Sequence, residues 1–110
     1  MTAKVLVATA ALLVAIAGAL ATQQPVNAAS VFTRSCAQCH GAKGAPSPAM
    51  VSSMKVPDFS NPATLASLSD SVLRATVTNG KGRFMQAFKG RLKPEEIDAL
   101  VAYVRTLSRH

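Results

Sequence analysis

Cys36-Ala37-Gln38-Cys39-His40 holds both cysteines and one of the two histidines of a 110-residue chain. Two cysteines three residues apart, followed at once by histidine, form the attachment signature of c-type haem. On a helix that spacing puts both sulfurs on one side, close enough to add to the two vinyl groups of one porphyrin. His40 then presents its ring to the iron. Three other chemistries use the same residue types. A Cys36–Cys39 disulfide would close a loop too tight for disulfide geometry within a helix. A thiol redox site normally opens a helix after a strand, and the chain shows no βαβ pattern. Zinc wants four ligands, and after Cys36, Cys39 and His40 the only histidine left is the chain-terminal His110. Covalent haem is the chemistry that the spacing serves best.

A haem iron that only passes electrons needs a sixth ligand, and methionine is the usual partner of histidine. Met85 lies in a stretch flanked by Gly80, Gly82 and Gly90, between two amphipathic segments, where its thioether can reach the side opposite His40. Met50 and Met54 are the alternatives, although their i, i+4 spacing fits one packed face of a short helix. His110 is the other, and as the chain end it reads as a solvated residue.

Upstream, Lys4 and the apolar run Val5–Ala21, 15 apolar residues of 17, read as an export signal. Small-x-small patterns at Ala19-Leu20-Ala21 and Val26-Asn27-Ala28 offer cleavage after Ala21 or after Ala28. A retained anchor is the competing reading, although 17 Ala-rich residues are at the short edge of a membrane span. No cysteine follows the run, so lipid attachment there is excluded. The expected organisation is a signal over 1–21, or to 28, and one haem domain over 29–110.

Downstream, Ala28 to His40 is predicted as a first helix, with Val31, Phe32, Cys36 and Cys39 near the 3.6 period. Gly41 to Pro62 carries four of the six prolines and reads as loop, with at most a short helical turn near Met50 to Met54. Ser69 caps a predicted helix through Thr78 that Asn79-Gly80 stops. Gly80 to Gly90 is a second loop. Pro94, Glu95 and Glu96 start a last helix whose apolar stripe is Ile97, Leu100, Val101, Val104 and Leu107. No segment alternates long enough to be a strand. The expectation is an all-α domain of three to four helices around one haem.

Composition agrees. Only five aromatics are present (Phe32, Phe59, Phe84, Phe88 and Tyr103) and no Trp, so a chain this small needs something besides side chains in its middle. Two cysteines exclude a disulfide-dense scaffold, and 11.4 kDa excludes a multi-domain enzyme. The net charge of +7, with a pI near 10.1, favours acidic partners. Lys81, Arg83, Lys89, Arg91 and Lys93 fall within 13 residues around Met85 with no acid among them.

Taken together, Val31-Phe32-x3-Cys36-x2-Cys39-His40-Gly41, Pro57-Asp58-Phe59, Gly80 through Phe88 and Leu92 through Leu107 resemble a small class I monohaem cytochrome c of the bacterial periplasmic group. The resemblance implies the compact cytochrome c fold with one covalent haem c. It implies Cys36 and Cys39 as thioether links, and His40 and Met85 as the axial, iron-binding pair. Phe32 and Tyr103 would meet where the first and last helices cross, and a carbonyl set by Pro46 or Pro48 would accept a proton from His40. Two positions depart from the family pattern: Ala28 stands where a glycine is usual, and Gln86 where a proline follows the methionine. Without that proline the Met85–iron bond is expected to be more labile.

The implied function is one-electron transfer by a monomeric, exported, periplasmic carrier that is not an enzyme. Its expected partners are redox proteins with acidic docking surfaces; nucleic acid fits poorly with export and sparse aromatics. The alternatives are a haem-bearing subunit of a larger periplasmic dehydrogenase, or a protein whose iron reacts with gases or peroxide.

Overall fold

The computed structural model describes residues 2–4 and 25–109. The apolar run read as an export signal and His110 lie outside the described residues. The elements are α1 (Ala28–Ser35), α2 (Ala37–His40), α3 (Pro48–Met54), α4 (Pro62–Ala66), α5 (Asp70–Asn79), α6 (Pro94–Thr106) and a closing 3-10 turn, Leu107–Arg109. Among the described residues there is no strand, only isolated bridges at Lys81–Met85 and Lys89–Leu92. The all-α expectation holds, but the described residues form six α-helices where three to four were expected.

The longer helices start where their capping chemistry allows. Asn27 Oδ1 accepts from the Ser30 amide at 3.0 Å, and Ser69 Oγ from the Val72 amide at 3.2 Å. Pro94 occupies the first turn of α6, and Glu96 Oε1 reaches back to accept from the Lys93 amide at 3.1 Å. α5 ends at Gly80, as expected.

Two expectations need correction. The predicted helix from Ala28 to His40 is two helices, because Cys36 takes φ −124° and ψ −36° and breaks the regular ladder. The break is local: the Cys36 amide still donates to Phe32, and the His40 amide to the Cys36 carbonyl, at 2.8 and 2.9 Å. The second is α4, which follows the Pro-rich stretch read as loop. Asn61 caps it and Pro62 opens it, but with five residues and one buried side chain, Leu65, it is too short to show a period.

The core is small. Val31, Phe32, Phe59, Leu65, Leu73, Leu100, Val101, Val104 and Leu107 form one buried cluster, and Cys36 and Ala37 pack against it. α6 lies against both α1 and α5. At the first crossing Phe32, 1% exposed, meets Tyr103 with ring centroids 5.3 Å apart and planes tilted by 56°. Burying a side chain of that size contributes about 1.5–3 kcal/mol. At the second, Arg74 pairs with Asp98 at 2.5 Å and Arg105 with Asp70 at 2.7 Å. Arg105 also donates to the Leu65 and Leu68 carbonyls, tying the end of α4 to α6.

Candidate haem site

The site begins where α1 breaks. α2 is a single turn whose Cys39 and His40 amides both donate to the Cys36 carbonyl, so the two cysteines and the histidine sit on one tight turn. Cys36 and Cys39 are both free thiols and half-buried. Burial pushes the Cys36 thiol up to about 11, so it stays protonated at neutral pH.

After α2 the chain turns at Gly41 and reaches Gly44, whose carbonyl accepts from the Phe59 amide at 2.8 Å. Gly44 has φ +82°, and a Cβ there would come within 2.9 Å of the Leu107 side chain and 3.1 Å of Phe59. Only glycine lets these segments close up. The closure brings Phe59 onto His40: the rings lie 4.8 Å apart and 7° from parallel. Burial lowers the His40 pKa, which keeps the imidazole neutral and its lone pair available. Its Nδ1 is buried and has no hydrogen-bond partner, so no carbonyl set by Pro46 or Pro48 accepts from it, contrary to expectation.

Met85 belongs to a separate segment, the connection between α5 and α6. Lys81 and Met85 exchange backbone hydrogen bonds of 2.9 and 3.3 Å, closing a five-residue turn. Phe88 and Lys89 then donate to the Val77 and Thr78 carbonyls at 3.0 and 3.1 Å, pinning the loop to the end of α5. Gly80 makes this geometry affordable: it has φ +76°, and a Cβ would lie 2.5 Å from the Met85 carbonyl oxygen. Met85 is half-buried, as are Met50 and Met54 on α3.

Among the described residues no three His, Cys, Asp or Glu side chains converge on one point, which disfavours the zinc alternative. The donor set suits a covalently held haem: two free thiols on one turn, a neutral imidazole with an orphaned buried nitrogen, and a loop-borne thioether. In the sequence Phe59 stands out only as one of five aromatics within Pro57-Asp58-Phe59, and nothing marks Arg105 as the link to the Leu65 and Leu68 carbonyls. A large aromatic inside a Pro- and Ser-rich loop was the available signal for Phe59.

A family model described as "Cytochrome C oxidase, cbb3-type, subunit III" matches residues 23–104. The chain belongs to the cytochrome c family. This cytochrome is 42% identical over 79 residues to cytochrome c6 of Anabaena variabilis, covering 72% of the chain and 86% of the relative. Cytochrome c6 of a Nostoc species is 41% identical over 80 residues, covering 72% and 67%. The cbb3-type cytochrome c oxidase subunit FixP of a Bradyrhizobium species is 34% identical over 93 residues, but those span only 30% of that protein. Among solved structures, the KustC0563 c-type cytochrome superposes with a TM-score of 0.66 at 29% identity, covering 73% of the chain and 95% of the structure. The fold is that of a small class I monohaem cytochrome c. Members of this family bind covalently attached haem c, and their general function is electron transfer.

Proposed function

We propose that this cytochrome is a monomeric one-electron carrier, with Cys36 and Cys39 as thioether anchors, His40 as proximal ligand and Met85 as distal ligand. The observation that carries the reading is the single turn that sets two free thiols beside a neutral, Phe59-stacked imidazole. Haem iron, when bound, supplies the ferric–ferrous couple. Cys36 and Cys39 would fix the cofactor covalently to one turn, so that it does not dissociate between electron transfers. Phe59 holds the plane of the His40 ring, and burial keeps the ring unprotonated. The Lys81–Met85 turn presents the thioether while Phe88 anchors the loop. No residue acts as a catalytic base or nucleophile in this reading; the chain excludes water and sets the potential.

An export signal over 1–21 fits the haem domain. Cleavage after Ala21 keeps Asn27 as the cap of α1, whereas cleavage after Ala28 removes it, at a cost of about 1 kcal/mol. The exposed cations Lys81, Arg83, Lys89, Arg91 and Lys93 would steer the carrier onto an acidic redox partner in the periplasm. Changing Lys81 and Arg83 to Glu should slow electron transfer to such a partner at low salt, and unchanged rates would remove the steering role.

The likeness to FixP favours a second reading, a haem module acting within a larger complex. A monomer on gel filtration supports the carrier, and stable co-purification supports the module. The deciding experiment for the site is the absorption spectrum of the haem-loaded protein and of Met85→Ala. The ferric protein should show the weak long-wavelength band of methionine sulfur on iron, and the variant should lose it. Retention of the band in the variant would overturn the Met85 assignment.

A further inference from the structure

The chain has three asparagines, and each is followed by a different residue: Asn27 by Ala28, Asn61 by Pro62 and Asn79 by Gly80. The side-chain carbonyl of an asparagine is open to attack by the backbone nitrogen of the next residue. Proline has no N–H to give up, and an alanine methyl crowds the five-membered ring that forms. Glycine has the proton and leaves the ring unhindered. Asn79-Gly80 is therefore the one pair whose residue types favour this reaction.

The fold turns that nitrogen away. Asn79 is the last residue of α5, and the Gly80 amide donates to the Thr76 carbonyl at 2.8 Å. Held along the helix axis, the nitrogen faces the preceding turn and not the Asn79 side chain. The same turn is tied from two further directions. The Thr76 and Thr78 hydroxyls donate to the Val72 and Arg74 carbonyls, both at 2.8 Å. Phe88 and Lys89 donate to the Val77 and Thr78 carbonyls at 3.0 and 3.1 Å, and the Phe88 side chain is buried. Opening the end of α5 thus requires the chain around Phe88 to let go of it.

We propose that Asn79 is a deamidation site held shut by the last turn of α5, so that its modification records each opening of that turn. In the open chain the Gly80 nitrogen bonds to Asn79 Cγ, the Cγ–Nδ2 bond breaks, and ammonia leaves with the amide proton. Water then adds to one carbonyl of the cyclic imide. Addition at Cγ gives aspartate at position 79, and addition at the backbone carbonyl gives isoaspartate, with one extra carbon in the main chain. No electrons are exchanged, and water is the only co-reactant. The isoaspartate form does not close again. Its extra carbon moves the Gly80 amide away from Thr76, at a point where a Cβ on Gly80 would already lie 2.5 Å from the Met85 carbonyl oxygen and 2.8 Å from the Ala87 nitrogen.

The test incubates the haem-loaded protein and a synthetic peptide of residues 72–86 side by side at mildly alkaline pH. Mass mapping of the tryptic segment 75–81 and enzymatic methylation of isoaspartate follow the conversion. Residue 79 should convert roughly tenfold or more slowly in the protein, because only the opened fraction reacts. Phe88→Ala loosens the chain that ties the turn, whereas Arg105→Met loosens the contact between α4 and α6. Compared in urea at matched global stability, Phe88→Ala should convert roughly threefold or more faster than Arg105→Met. The isoaspartate form, separated by its extra negative charge, should be cut by trypsin at Lys81 and Arg83 faster than the parent. Equal rates in protein and peptide overturn the proposal, because the turn then gives no shelter. Equal rates in the two variants overturn it too, because only global unfolding would then expose the site, and so does an isoaspartate form as resistant to trypsin as the parent. These readouts follow residue 79 and not the iron, so this inference and the electron-carrier reading can fail separately.

Discussion

The His40 imidazole lies face to face with the Phe59 ring, 4.8 Å between centroids and 7° from parallel. One ring belongs to the haem motif and the other to a loop 19 residues later, joined by the Phe59 amide bond to the Gly44 carbonyl. Phe59 is therefore a core residue and a support for the proposed proximal ligand at once. Phe59→Ala should cost about 3–5 kcal/mol in denaturant unfolding, as for other buried aromatics. It should also free the His40 ring, which the same sample would show as a broadened or shifted c-type spectrum. Phe59→Leu should cost less and keep the spectrum.

Gly80 offers a cleaner perturbation of the Met85 loop. Its backbone, φ +76° and ψ −180°, lies in a region reserved for glycine, and a Cβ would strike the Met85 carbonyl. Gly80→Ala is expected to destabilise by about 1–3 kcal/mol and to weaken the methionine–iron band. Gly82 also has positive φ, +58°, but has nothing within 4 Å of a Cβ. Gly82→Ala should therefore cost about 1–2 kcal/mol of backbone strain and leave the band in place.

The two arginine–aspartate pairs between α5 and α6 should differ sharply. Arg105 holds the Leu65 and Leu68 carbonyls besides Asp70, and its side chain is 27% exposed. Arg105→Met should cost about 2 kcal/mol or more by leaving those carbonyls without their donor. Arg74 and Asp98 are both about half exposed, so Arg74→Ala should leave the urea midpoint almost unchanged. Urea midpoints of the two variants, measured side by side, check the contrast.

Acid should weaken the fold through His40. Burial lowers its pKa below the ordinary 6.5. The unfolded chain therefore binds a proton that the folded chain resists, over the window from 6.5 down to the folded value. Stability falls as pH falls through that window and levels off below it. Denaturant midpoints from pH 7.5 downward should fall first near the ordinary histidine value, and a flat profile from pH 7.5 to 5 would count against a buried, neutral His40.

Much of this molecule was legible from residue order alone. The Cys36-x-x-Cys39-His40 spacing is a local property, because two sulfurs and a ring on one turn need only a helical turn between them. The cap at Ser69, the start at Pro94, the stop at Gly80 and the stripe from Ile97 to Leu107 are likewise local, and each element formed within a residue or two of its expected place. The break at Cys36 and the short α4 were not legible. A ladder interruption at one residue leaves the 3.6 period intact, and a five-residue helix has no period to show.

What only tertiary structure decided was which distant groups meet. Phe59 reaches His40 because Gly44 admits Leu107 and Phe59 where a side chain would keep them apart. Arg105 caps carbonyls 37 and 40 residues away, and Phe84 stays in solvent while Phe88 goes inside. Sequence spacing encodes neighbours along one element through its period, so it named the chemistry of the site. Contacts across elements depend on the summed packing of all of them, and no single stretch of the chain carries that information.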